Sequence, residues 1–349
     1  MGFVSMARSI MAAALALAAA PAGAQEFEWT MLTGGPSGTY IRIGQDIARE
    51  AETCGWRLNV LESAGSLENF LGVRQRRMTQ FGIVQSDVLE YLKTYEADDP
   101  AIARAVHGVQ IAFPLYPEEV HVLARADVAT LADLAGKRVA VGVEDSGTFL
   151  TASLVLDFAE VAPAERVTIG PSDSLEALLK GDIDAFFYVA GAPTALFQDP
   201  RLSEGGYRLL PLDHPRLAAV YQPRTIPAGT YPWQADPVEA VAVKAVLMTF
   251  AYDPRRNAYH RLSCEAVSEI SWLIANRFEE LKATGHPKWR DVDLADIPPG
   301  WAIGQCVNAG LDPDFVSSCR AAPAAATATE EPAANAVYRQ RICAVVGGC

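Results

Sequence analysis

Between Trp29 and Ala190 the chain alternates two kinds of apolar pattern. The runs "FEWTMLT", "RLNVLES", "FGIVQ", "KRVAVGV", "RVTIG" and "IDAFFYVA" have strand length and character. Between them lie stretches with apolar residues at helical spacing. Tyr40, Ile43 and Ile47 make one stripe in "TYIRIGQDIARE"; Leu67, Phe70 and Leu71 make another in "SLENFLGVRQRR". "DVLEYLKTY", "GTFLTASLVLDFAE" and "SDSLEALLKGD" read as further helices, the last with Ser172 or Asp173 as N-cap. Two strand runs, "HGVQIAFPLY" and "EVHVLAR", separate an earlier series from a later one. This rhythm predicts an α/β protein with a mostly parallel sheet in each of two lobes.

The later pattern changes. "YQPRTIPAGTYPWQADP" is irregular, "VEAVAVKAVLMTFAY" is β-rich, and "PRRNAYHRLSCEAVSEISWLIANRFEELKATG" is helical. These elements are read as returning to the first lobe. The layout is then lobe 1 over 25–118, lobe 2 over 119–213, a return segment over 214–305, and a cysteine-bearing tail over 306–349. Residues 321–336 of that tail are an Ala/Pro-rich linker by composition.

The N-terminus adds a compartment. Arg8 is the only charge before Glu26, "IMAAALALAAA" is apolar but too short to span a bilayer, and Ala22 to Ala24 offer a small-x-small cleavage pattern. Residues 1–24 therefore read as a signal peptide of a periplasmic protein. No later stretch is long and apolar enough for a membrane span. The formal charge is −13, and losing Arg8 makes the remainder one unit more acidic. Such a surface repels nucleic acid and anionic lipid without excluding an anionic ligand in a locally positive cleft. Cys54, Cys264, Cys306, Cys319, Cys343 and Cys349 form an even set, which an exported chain uses for disulfides. Short separations favour Cys306–Cys319 and Cys343–Cys349, leaving Cys54 with Cys264.

Three strand-to-helix corners share a chemistry: "GGPSGTY", "VQSDV" and "EDSGTF". Helix N-termini carry unpaired N–H groups and partial positive charge, glycine lets a ligand approach the backbone, and Ser37, Thr39, Ser86, Ser146 and Thr148 add hydroxyls. In α/β sheets these corners lie at the carboxyl ends of strands, where ligands bind. They form anion cradles that need no lysine. Catalytic readings fail by spacing. Thr39 stands where G-x-S-x-G needs its second glycine, "GGPSGTY" lacks a P-loop lysine, and the five histidines are scattered with no metal-binding spacing. No cofactor, no metal and no enzyme activity are expected. The pairs Glu118/Glu119 and Asp98/Asp99 read as solvated turn residues, with a ligand-facing role as the minority reading for Glu118/Glu119. Arg74 to Arg77 read as a solvated helix end.

In this order along the chain, "GGPSGTY", "SAGSLENFLGV", "FGIVQSDV", "LYPEEVHVLAR", "LADLAGKRVAVGVEDSGT", "DIDAFFYVAGAPT" and "TIPAGTYP" resemble the TAXI family, the extracytoplasmic solute receptors of TRAP transporters. The resemblance implies a type II periplasmic binding-protein fold, two α/β lobes joined by a hinge with a ligand cleft between them. It implies capture of a small organic anion, glutamate or a dicarboxylate such as 2-oxoglutarate, for delivery to a TRAP permease. Carried over motif by motif, the cleft residues would be Gly38, Thr39, Tyr40, Ser66, Gln85, Ser86, Asp87, Ser146, Gly147, Thr148, Tyr188 and Gly191. Hydroxyls and glycine amides would hold carboxylate oxygens, Tyr40 and Tyr188 would wall the carbon chain, and Asp87 would cap its helix or meet a ligand ammonium. The protein is expected to act as a monomer. The linker and the pair Cys343/Cys349 depart from the family. Two alternatives stay open: a sensor that presents its closed form to a signalling partner, and an enzyme on the same fold.

Overall fold

A computed structural model of the chain describes residues 28–319; the signal-like N-terminus, the linker, Cys343 and Cys349 lie outside the described residues. The first series runs β1 (Trp29–Leu32), α1 (Thr39–Thr53), β2 (Leu58–Leu61), α2 (Ser66–Gln75), β3 (Phe81–Gln85), α3 (Ser86–Tyr95) and α4 (Pro100–Val106). β1 sits between β2 and β3, parallel to both. The stripe Tyr40, Ile43, Ile47 buries α1 against Met31, Leu58 and Phe81. The exposed Arg74 to Arg77 close α2, as basic residues do at a helix C-terminus.

β4 (Val109–Arg125) then crosses the molecule as one strand, where the sequence suggested two. It leads to β5 (Arg138–Ala140), α5 (Gly147–Phe158), β6 (Glu165–Val167), α6 (Pro171–Lys180) and β7 (Ala185–Ala190). β5 lies between β6 and β7, parallel to both. The N-cap of α6 is Gly170, with Pro171 at the first helical position, and not Ser172 or Asp173. A ring-fixed φ suits that position, so the helix starts two residues earlier than a Ser172 cap would place it. Next come β8 (Tyr207–Leu209), α7 (Pro215–Ala218), β9 (Gln222–Ile226), β10 (Val238–Phe250), α8 (Ala258–Asn276), α9 (Phe278–Thr284) and α10 (Gln305–Leu311).

The strand order is β2-β1-β3-β10-β4-β7-β5-β6, with β8 on β4 and β9 on β10. β4 and β10 are antiparallel and serve both lobes. Val109 to Pro114 pair with the Val246–Phe250 end of β10, beside β3, whereas Glu119 to Ala124 pair with β7. One core gathers Ile43, Phe81, Val267, Ile270, Leu281 and Trp289; across the ribbon another gathers Val120, Val139, Val155 and Phe187. This is the two-lobe architecture of a type II binding protein. Residues 214–243, placed by the sequence in the return segment, contribute Leu217, Tyr221, Ile226, Tyr231 and Val243 to the second lobe's cores. Where the ribbon passes between lobes, Pro114 and Pro117 lack N–H donors and the β4–β10 register slips between Lys244 and Val246. That weakens the ladder where a hinge needs to bend.

The disulfides differ from the sequence expectation. Cys54 pairs with Cys319, and Cys264 with Cys306. α10 packs tightly on α8: a Cβ at Gly310 would lie 2.0 Å from the Ser268 carbonyl oxygen, and Ser268 Oγ donates to Cys306 O at 2.7 Å. That contact sets Cys306 beside Cys264. The chain then returns to the C-terminal end of α1, where Cys54 waits. Short separation was a poor guide because helix packing, and not chain proximity, brings these sulfurs together.

Candidate ligand-binding site

A cavity of about 330 Å³ lies between the lobes, at the carboxyl ends of β1, β2, β3, β5 and β7. The first lobe contributes the α1 corner. Gly34, Gly35 and Gly38 line the cavity with Thr39 and Tyr40, and no side chain caps the first turn of α1. The bare corner thus leaves backbone amides at the wall, as an anion cradle requires. The α2 corner supplies Ser63, Ala64, Gly65 and Ser66. Gly65 has φ +132°, a conformation a side chain would resist, and a Cβ there would sit 3.2 Å from Ser146 Cα of the other lobe. Asn69, which the sequence did not single out, holds this corner together. Its Nδ2 donates to Thr33 O at 2.5 Å and Ile83 O at 2.7 Å, and Ser63 Oγ donates to its Oδ1 at 2.7 Å. One buried amide therefore fixes the ends of β1, β2 and β3.

The second lobe contributes Gly142, Val143, Ser146, Gly147 and Thr148 around the start of α5, and Gly170 and Pro171 at the start of α6. Ser146 caps α5 by accepting from Phe149 N at 3.1 Å. α6 has no side-chain cap. Phe187, Tyr188, Val189 and Ala190 close the wall from β7. Thr148 Oγ1 accepts from Val189 N at 3.2 Å, tying helix to strand.

The lobes touch directly across the cavity. Thr39 Oγ1 donates to Gly191 O at 2.8 Å, and Thr194 Oγ1 to Ser37 O at 3.2 Å. Leu67 N and Glu68 N, in the first turn of α2, donate to Asp145 O at 3.1 and 3.3 Å. Thr151 Oγ1 donates to Asp87 Oδ2 at 2.6 Å. The molecule is in its closed arrangement.

No lysine, arginine or histidine is among the cavity-lining residues; the ionisable groups there are Tyr40, Glu118 and Tyr188. Glu118 is 1% exposed and Glu119 7%, so the solvated-turn reading of this pair is wrong. Both lie within β4, where Glu118 faces Val243 and Glu119 faces Ala242 of β10. Tyr40 Oη donates to Glu118 Oε2 at 2.9 Å. Burial pushes the Glu118 carboxyl well above the usual carboxylate range, against the pull of Tyr40 and Gln85, and Asp87 and Glu119 push it further. Burial also raises both tyrosines, Tyr188 to about 12, so they stay neutral hydroxyls at pH 7. Glu119 instead accepts from Lys288 Nζ at 2.6 Å and from Ala192 N at 2.8 Å. Asp98 and Asp99 are exposed, and Asp99 caps α4.

Of the residues singled out in the sequence, Gly38, Thr39, Tyr40, Ser66, Gln85, Ser146, Gly147, Thr148 and Tyr188 meet at this cavity. Ser86, Asp87 and Gly191 do not line it. β3 runs straight into α3 without a glycine corner, so Gln85 faces the cavity and the next side chains turn away. Ser86 Oγ accepts from Lys244 N at 2.9 Å, and Asp87 accepts from Val88 N at 2.9 Å and from Thr151. Gly191 lies one residue beyond the wall, packed on Tyr116 and Lys288, and serves through its carbonyl. His121 belongs to the core: its Nδ1 meets Tyr188 O at 3.2 Å, its Nε2 meets Tyr231 Oη at 2.8 Å, and burial lowers its pKa to about 4.

The model of the NMT1-like family matches residues 31–261, which span both lobes and every cavity-lining residue but none of the late helices beyond the start of α8. The chain belongs to the NMT1-like family. Among solved structures, this NMT1-like chain is similar to MatC (Rpa3494) from Rhodopseudomonas palustris with bound malate, at 17% identity and TM-score 0.45, over 73% of this chain and 88% of that one. It is similar to the periplasmic binding protein BugD at 10% identity and TM-score 0.46, over 74% and 86%. It is also similar to the periplasmic aliphatic sulphonate binding protein SsuA from Escherichia coli, at 14% identity and TM-score 0.38, over 90% and 93%.

Proposed function

We propose that this chain is an extracytoplasmic solute receptor. It captures a small organic anion, glutamate or a dicarboxylate such as 2-oxoglutarate, and hands it to a TRAP-type membrane permease without chemically changing it. The observation that carries this reading is the closed interlobe cavity, walled by hydroxyls and uncapped helix starts and free of basic side chains. Each helix terminus stabilises an anion by roughly 0.3–2 kcal/mol, and a micromolar ligand needs about 8 kcal/mol. Helix ends alone do not reach that figure. The remainder comes from the hydroxyls, from burial against Tyr40, Phe187 and Tyr188, and from closure, which a ligand touching both lobes favours. An oxidising, periplasmic location is supported by the leader-like N-terminus and by the disulfides Cys54–Cys319 and Cys264–Cys306.

The test is a thermal-shift panel on the mature chain with amino acids, mono- and dicarboxylates, sugars and sulfonates, followed by calorimetry. A carboxylate is expected to bind at micromolar concentration and to lose its effect in a Thr39→Ala/Ser146→Ala variant. No stabilisation by any anion would overturn the reading. Unchanged product composition after prolonged incubation separates a receptor from an enzyme.

A further inference from the structure

Glu118 is the one carboxyl group among the residues lining the cavity, and among the described residues no basic side chain pairs with it. Around it stand Tyr40 of α1, Gln85 of β3, Asp87 of α3, Tyr116 and Glu119 of its own strand, and Tyr188 of β7; all are acidic or neutral. On β10 the facing residue is Val243, and the neighbouring Lys244 is turned away to pair with Asp296. The remaining nearby cation, Lys288, is committed to Glu119 and to Asp291, at 2.6 and 3.1 Å. An ionised Glu118 would oppose the very anion that the helix starts attract, and its carboxyl is itself almost fully buried. Tyr40 donates to Oε2 and Gln85 also draws on the carboxyl as a donor; neither accepts, so the proton of a neutral Glu118 is left to seek an acceptor on a ligand.

Resting on the solute-receptor reading, we propose that Glu118 stands in the cavity as a neutral carboxylic acid and donates a hydrogen bond to a carboxylate oxygen of the bound anion. Ligand capture is then coupled to a proton. Glu118 sets specificity: it favours an acceptor at its position and supplies no charge to an ammonium. The proton comes from solvent, stays on Glu118 while the lobes are closed, and returns when they open.

The experiment has two arms. The first records infrared spectra of wild type and Glu118→Gln at neutral pH, alone and with 2-oxoglutarate. A carbonyl band of a protonated carboxyl, present in wild type and missing from the variant, is expected in at least one of the two conditions; its absence from both overturns the proposal. The second titrates 2-oxoglutarate and L-glutamate by calorimetry in buffers of different ionisation enthalpy. Proton uptake is expected in wild type only above the pH at which Glu118 of the free protein ionises, with Kd rising up to about tenfold per pH unit there. In Glu118→Gln the affinity is expected to be independent of pH over that range. Binding without proton uptake at a pH where the free protein lacks the carbonyl band would show an ionised Glu118 facing the ligand, binding of L-glutamate alone that Glu118→Gln destroys would show an ionised Glu118 holding an ammonium, and either would overturn the proposal. If neither probe binds, the solute-receptor reading fails for these ligands, and the infrared arm on the free protein still decides the state of Glu118.

Discussion

At the scale of single residues, buried acids carry the most readable consequences. Burial raises the Asp87 carboxyl from 3.8 to about 6, partly offset by Thr151 and the Val88 amide. Below pH 3.8 this group is protonated whether the chain is folded or not. Between there and about pH 6 the folded state holds the proton more tightly, so its contribution to stability is lost as pH rises through that window. Two pKa units correspond to about 3 kcal/mol. The unfolding free energy of wild type minus that of Asp87→Asn is expected to fall by about this amount from pH 4 to pH 6.5, read from urea titrations. Parallel curves would mean that Asp87 is not desolvated. Glu118 follows the same sign, but from sequence its ligand-facing role was only the minority reading. Two adjacent glutamates behind Pro117 look like a solvated turn, and only the pairing of β4 with β10 places them inside the molecule. The glycine and hydroxyl corners were legible because their chemistry is local: a helix start without a cap needs only its own few residues. What Ser86 faces was not legible, because it depends on the strand entering α3 without a turn.

At the scale of elements, the strand and helix rhythm was readable from periodicity, while the joints between elements were not. β4 reads as two strands because prolines interrupt its pattern, yet Pro114 and Pro117 sit in one ribbon. The Cys264–Cys306 bridge shows the same limit: it records how α10 docks on α8. Removing it as Cys264→Ser/Cys306→Ser is expected to cost about 2–4 kcal/mol, the usual value for a loop of this length. Urea unfolding checks the loss, and a non-reducing peptide map of wild type should recover peptides joining Cys54 to Cys319. A second joint is ionic. Lys288, beyond α9, reaches Glu119 on β4, and Glu119 in turn receives Ala192 N from the end of β7. Both side chains are buried. Lys288→Met leaves a buried carboxylate without its cation and is expected to destabilise by about 3–5 kcal/mol. Adding Glu119→Gln should restore a large part of that loss; a double variant no better than the single would show that Lys288 acts through packing of its stem instead.

At the scale of the molecule, the proposed function requires two lobes that close on a ligand, and one atom-sized space decides whether they can. Gly147 begins α5 and meets the first lobe across the cavity. A Cβ there would lie 1.9 Å from Gln85 Oε1 and 2.6 Å from Ser66 Oγ. The three nearest atoms all belong to the first lobe, and alanine at a helix start carries no intrinsic penalty. Gly147→Ala should therefore leave the separate lobes intact and strain only the closed arrangement. Overpacking of this kind costs about 1–3 kcal/mol, which weakens ligand binding roughly 5- to 150-fold. Small-angle scattering makes the mechanism visible. Wild type should contract when saturated with ligand; the variant at equal occupancy should contract less, with an unchanged melting temperature in the absence of ligand. The bend is expected in the β4–β10 ribbon between Pro114 and Glu119, where donors are missing and the register slips. Full contraction and unaltered affinity in Gly147→Ala would mean that Gln85 and Ser66 swing aside at little cost, and that the contact between α2 and the α5 corner does not set the closed state.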